Sequence, residues 1–127
     1  MFTNTKKQGN WGLGQAIAYF TAKGLSVSIP LTDSQTYDLI VDDGTSLKRV
    51  QVKSSTNKCS SGAYAVELRS RVVDSKKSGI VRRQVSAENC DLLFVATPIG
   101  NFLLDADVVP KSISFGNGGK WDKFIAP

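Results

Sequence analysis

The chain has 127 residues, 41% of them hydrophobic and 21% charged, which suits one globular domain and leaves no room for a second independent core. Its 16 Lys and Arg outnumber 11 Asp and Glu, giving a net charge of +5, a balance that favours a polyanionic partner because each cation meeting a phosphate releases condensed counterions. Histidine is absent, which excludes Ser-His-Asp triads and His-bearing zinc sites and leaves carboxylates, amides, lysine and backbone carbonyls, a set suited to a hard cation such as magnesium.

The N-terminal residues carry no apolar signal segment, and no apolar run approaches the roughly 20 residues of a membrane span, so a cytoplasmic protein with no membrane partner is expected. From Gly12 to Lys23 the residues Leu13, Ala16, Ile17 and Phe20 repeat at helical spacing, and Gly24 stands where a helix-stopping glycine belongs. Trp11, Ala18, Tyr19 and Ala22 make the other side apolar too, so this helix is expected to be covered on more than one side, with Gln15 its conspicuous polar residue. Gly9, Gly12 and Gly14 lack the spacing of a nucleotide loop and are expected to shape the helix entry.

Leu25–Ile29 alternates as a short strand ending at Pro30, and a polar loop over Thr32–Gln35 follows. Tyr37–Asp42 and Leu47–Ser54 read as two strands of a hairpin around the Asp43-Gly44 turn signal. Ser54–Gly62 reads as a loop and Ala63–Arg69 as a strand. Ser75–Arg83 reads as a basic loop or a helix start. Asp91–Thr97 is an apolar strand, Pro98–Asn101 a turn and Phe102–Asp105 a returning arm, with Trp121 and Phe124 expected to pack on the core. Cys59 and Cys90 have no zinc-like spacing and are expected to be reduced thiols in the core or a loop. The run Leu103–Asp107 lacks the flanking glycines of the LAGLIDADG motif and does not carry it.

The hairpin holds the chemistry. Alternation along an extended chain puts Val50 and Val52 on one face and Arg49, Gln51 and Lys53 on the other. With the valines and Leu39 in the core, Asp38, Gln51 and Lys53 share the polar face. A four-residue loop at Asp43–Ser46 sets Asp38 opposite Gln51, with Cβ atoms about 5 Å apart, whereas a two-residue turn sets it opposite Arg49. Either register gathers an acid, an amide and an amine. Asp38, the Gln51 side-chain oxygen and the Val52 carbonyl form a candidate metal site, and Lys53 is placed to orient water and stabilise developing charge, as phosphodiester hydrolysis requires.

Tyr37-Asp38-Leu39-Ile40-Val41 followed by Val50-Gln51-Val52-Lys53-Ser54-Ser55 resembles the PD-(D/E)XK nuclease core. It is most similar to the small branch associated with group I introns and to archaeal-type Holliday junction resolvases. Lys7 through Phe20 matches the opening turn and helix, and Cys90–Pro110 is similar to the later strands of this branch. The resemblance implies an α/β, restriction-endonuclease-like domain spanning residues 1–127, with an N-terminal helix packed on a central mixed β-sheet. It also implies a Mg2+-dependent DNA endonuclease of homing type, with a structure-specific Holliday junction resolvase as the alternative.

Two positions depart from the family pattern. Gln51 stands where Asp or Glu is usual, although some intron-encoded homing endonucleases of this fold carry Gln there, and Gln15 stands where the helix glutamate falls. Asp38 is then the one carboxylate left among the matched positions, which raises a catalytically weakened DNA-binding module as a further alternative. The implied partner is double-stranded or branched DNA, cut by a homodimer or homotetramer with Trp11 and Tyr19 as one interface. Expected DNA contacts are Lys6, Lys7, Lys48, Arg49, Ser54, Ser55, Thr56, Asn57, Lys76, Lys77, Arg82 and Arg83.

Overall fold

The computed structural model describes residues 4–32, 34–74 and 79–126, and the side chains at 71–74, 80 and 81 lie outside that description. Helix α1 (Thr5–Ala22) starts at Asn4, whose side chain accepts the Lys7 N–H at 2.8 Å and satisfies one donor of the open first turn. The expected start at Gly12 is therefore corrected: Gly9, Gly12 and Gly14 lie within the helix. Gly12 answers to packing, since a Cβ there would stand 2.9 Å from Ser54 Cβ. The expected stop holds. Gly24 adopts φ 82°, and the N–H groups of Gly24 and Leu25 donate to Thr21 and Phe20 carbonyls at 3.0 and 3.1 Å, closing the helix end.

In chain order the strands are β1 (Ser26–Ser28), β2 (Leu39–Asp42), β3 (Leu47–Ser54), β4 (Tyr64–Val66), β5 (Arg69–Asp74), β6 (Gly79–Gln84), β7 (Leu92–Thr97), β8 (Gly100–Asp105) and β9 (Ile113–Phe115). The main sheet has the order β1-β2-β3-β7-β8, with β3 and β7 parallel and the other neighbours antiparallel. β4 pairs with β9, and β5 with β6 as a two-stranded ribbon. Two expectations change. The strand expected over Ala63–Arg69 is split, because β4 ends at Val66 and β5 begins at Arg69. The Ser75–Arg83 loop instead supplies β6 from Gly79, and residues 75–78, including Lys76 and Lys77, lie outside the described residues.

The main sheet is covered on both faces, which explains why β7 reads as an unbroken apolar run rather than an alternating one. Phe94 and Ala96 join Leu39, Val41 and Val50 under Ala16 and Phe20 of α1. Leu93 and Val95 point the other way, to Phe102, Leu104, Val66, Ile113 and Phe115. Trp121 and Phe124 pack against this second cluster, as expected. Trp11 and Tyr19 are partly buried against the first, and Tyr19 lies 5.6 Å from Phe94 between ring centroids. No helix among the described residues is long and apolar enough to cross a membrane.

Candidate active site

The β2–β3 hairpin fixes the site because its register is set at both ends. Leu39 faces Val50 and Asp42 faces Leu47, leaving Asp43–Ser46 as a four-residue loop. Asp43 Oδ1 accepts the N–H groups of Thr45 and Ser46 at 2.9 and 2.8 Å, and Gly44 takes φ 93° to complete the turn. One residue before β2, the Asp38 N–H donates to the Val50 carbonyl at 2.8 Å, which holds Asp38 against β3 beside Gln51.

Asp38, Gln51, Val52 and Lys53 line one cleft of about 600 Å³. Asp38 Oδ2 accepts the Gln51 side-chain amide at 2.9 Å and the Val52 N–H at 2.8 Å. Among the described residues neither donor reaches Oδ1. With its amide nitrogen committed to Asp38, Gln51 has its side-chain oxygen left as an acceptor. Alternate carbonyls of a strand point to opposite edges, so the Val52 carbonyl shares the edge of the Val50 carbonyl. Because β2 begins only at Leu39, that edge opens onto the cleft at Val52.

Lys53 reaches across the cleft, its Nζ donating to Ser70 Oγ at 2.9 Å and to the Arg69 carbonyl at 3.3 Å. Burial pushes the Asp38 carboxyl above its ordinary range, opposed by the Val52 N–H and the Lys53 charge. Burial likewise pulls the Lys53 amine below its ordinary range, opposed by Asp38. The cleft thus penalises either charge standing alone, and a cation beside Asp38 favours the ionised carboxylate. The donor set of one carboxylate oxygen, one amide oxygen and one backbone carbonyl fits a hard divalent ion in chemistry, although it supplies a single negative charge.

Other expected site residues are held elsewhere. Gln15 Oε1 accepts from Asn101 Nδ2 on β8 at 3.2 Å, and Leu13, not Gln15, is the α1 residue lining the cleft. The reason is rotational. Gly12 and Ala16 are buried against the sheet, so Leu13 leans to the β2 side of that stripe and Gln15 to the β8 side. Arg49 is tied to Asp91 by paired bonds of 3.2 Å, and it also donates to the carbonyls of Glu88 and Ala87. It braces β3 against the start of β7.

Ser54 and Ser55 also bond within the fold. Ser54 Oγ donates to the Gln8 carbonyl at 3.2 Å, while buried Ser55 donates to the Ala65 carbonyl and Thr56 to Gln8 Oε1. These hydroxyls bind α1 and β4 to the end of β3. Lys6 and Lys7 are exposed on the first turn of α1, next to Gln8, and Arg82 and Arg83 are exposed on β6. Arg69, Ser70 and Leu13 are cleft residues that local sequence pattern did not single out.

The chain matches the model of the PD-(D/E)XK endonuclease family over residues 3–102. Among solved structures it is similar to a bacterial homing endonuclease, I-Ssp6803I, at 27% identity and a TM-score of 0.73, covering 89% of this chain and 78% of that one. No curated protein matches. With a family match over most of its length and one helix packed on a mixed sheet, the chain belongs to the PD-(D/E)XK endonucleases and has their restriction-endonuclease-like fold.

Proposed function

We propose that this chain is a Mg2+-dependent DNA endonuclease of homing type, hydrolysing phosphodiesters at a specific site as a homodimer or homotetramer. The observation that carries this reading is the convergence of the Asp38 carboxylate, the Gln51 amide and the Lys53 amine on one cleft. The structural likeness to a bacterial homing endonuclease favours the homing type over junction resolution. Asp38, the Gln51 oxygen and the Val52 carbonyl would hold the divalent cation, which supplies Lewis acidity to the scissile phosphate and acidity to a bound water.

The protein's own groups do the rest. Gln51 and the Val52 N–H lock the Asp38 carboxylate in one orientation. Lys53 lines the cleft anchored at Ser70 and Arg69, which leaves one N–H to orient the attacking water and offset charge on the phosphate oxygens. Lys6, Lys7, Arg82 and Arg83 supply cations for backbone contacts. A domain of this size covers little DNA, so cutting both strands at a long site calls for more than one copy.

The test is cleavage in magnesium of supercoiled plasmid, linear duplex carrying candidate sites, and a four-way junction. Discrete duplex products are expected. Junction-only cutting would assign a resolvase, and binding without cutting would leave the DNA-binding module.

A further inference from the structure

Lys53 sits on a flexible four-carbon stem, so its position is set by whatever holds its head group. Its acceptors, Ser70 Oγ at 2.9 Å and the Arg69 carbonyl at 3.3 Å, belong to the first two residues of β5. That root is held firmly. Arg69 N–H donates to Glu67 Oε1 at 2.9 Å, and the Arg69 and Glu67 side chains pair at 3.0 Å. Next to them the Val85 N–H donates to the Leu68 carbonyl at 3.0 Å, and Leu68 and Val85 are both buried in the core. From this root the β5–β6 ribbon extends, with Ser70 facing Arg83 and Arg71 facing Arg82 in register.

We propose that Ser70 is a positioning residue for the Lys53 amine, linking it to the root of the basic ribbon. The inference rests on the endonuclease reading of the cleft. An ammonium group has three donors, of which Ser70 and Arg69 take two and thereby aim the third. Without the serine hydroxyl one acceptor remains, and the head group is free to swing out of line with the phosphate. A ribbon seated on DNA through Arg82 and Arg83 is thus two residues from the group that aids the chemistry, so seating and alignment are mechanically joined.

The experiment compares the unaltered chain with Ser70→Ala and Ser70→Thr. Nicking of supercoiled plasmid is followed in magnesium with protein in excess, plasmid affinity is measured in calcium, and the acetylation rate of Lys53 without DNA is read by mass spectrometry. Ser70→Ala is expected to slow nicking about 10- to 100-fold at undiminished affinity, the range for groups that orient a reacting one. Lys53 acetylation is expected to rise in the alanine variant, and Ser70→Thr is expected to recover most of the rate. Equal nicking and equal acetylation in Ser70→Ala would overturn the proposal, as would a loss of rate and affinity together that threonine does not rescue. Absence of nicking by the unaltered chain sinks the endonuclease reading instead, and the acetylation contrast then decides by itself whether Ser70 holds Lys53.

Discussion

The Gln51 side-chain nitrogen lies 2.9 Å from Asp38 Oδ2, so the amide that replaces the family's usual acid acts as a clamp on the remaining carboxylate. This arrangement works without a cation, because an amide donor and a carboxylate attract. A second carboxylate at position 51 would not. Gln51→Glu is expected to destabilise the metal-free protein at neutral pH by roughly 1–3 kcal/mol, through like charge and a lost donor in a buried place. Magnesium should restore that stability and bind more tightly than to the unaltered chain. Urea unfolding with and without magnesium checks this, and a variant indifferent to the ion would contradict the placement of the site.

The rotation of α1 separates two substitutions that look alike in sequence. Leu13 lines the cleft and Gln15 bonds Asn101 on β8. Leu13→Glu is therefore expected to tighten divalent-ion binding by adding a carboxylate beside Asp38, while Gln15→Glu leaves it unchanged. Calorimetric titration with magnesium distinguishes them, and tighter binding in Gln15→Glu alone would reverse the assignment.

Two helix glycines should respond oppositely to alanine. A Cβ at Gly12 stands 2.9 Å from Ser54 Cβ, whereas one at Gly9 meets nothing within 4 Å. Gly12→Ala is expected to cost about 1–3 kcal/mol through overpacking, and Gly9→Ala to gain roughly 0.5–1 kcal/mol from the lower entropy of the unfolded chain. Denaturant unfolding measures both, and equal shifts would rule out the close approach of α1 to β3.

The hairpin loop has a pH signature. Asp43 accepts N–H groups of Thr45 and Ser46 and the Thr45 hydroxyl, which holds its carboxyl down at about 2 from an ordinary 3.8. Its folded pKa lies below its unfolded one, so the loop's contribution to stability is complete above the unfolded value and is lost as pH falls through about 2. An NMR titration of the Asp43 carboxyl carbon should show a midpoint near 2, and a midpoint near 3.8 would mean the loop bonds do not hold in solution.

The hairpin was legible because its cues are local: period-two alternation, the Asp43-Gly44 turn and the apolar positions Leu39 and Val50 together fix which face Asp38 and Gln51 share. What escaped depends on distant partners. Gly12, read as shaping the helix entry, sits inside α1 where Ser54 approaches closely. Arg49 reads as a free cation until Asp91, at the start of the neighbouring β7, comes beside it. Ser54 and Ser55 read as exposed hydroxyls, yet α1 and β4 supply their acceptors. The ribbon was hidden because its second strand is polar and basic, with little apolar periodicity to mark it.

The role proposed for Lys53 is to aid chemistry beside Asp38 rather than merely to hold DNA. It is tested most directly by the cleavage rate of Lys53→Ala with saturating protein in magnesium, with DNA affinity measured alongside in calcium. The expected rate is about 10²- to 10³-fold lower at nearly unchanged affinity. A variant that cuts as fast as the unaltered chain, or that loses only affinity, would contradict it.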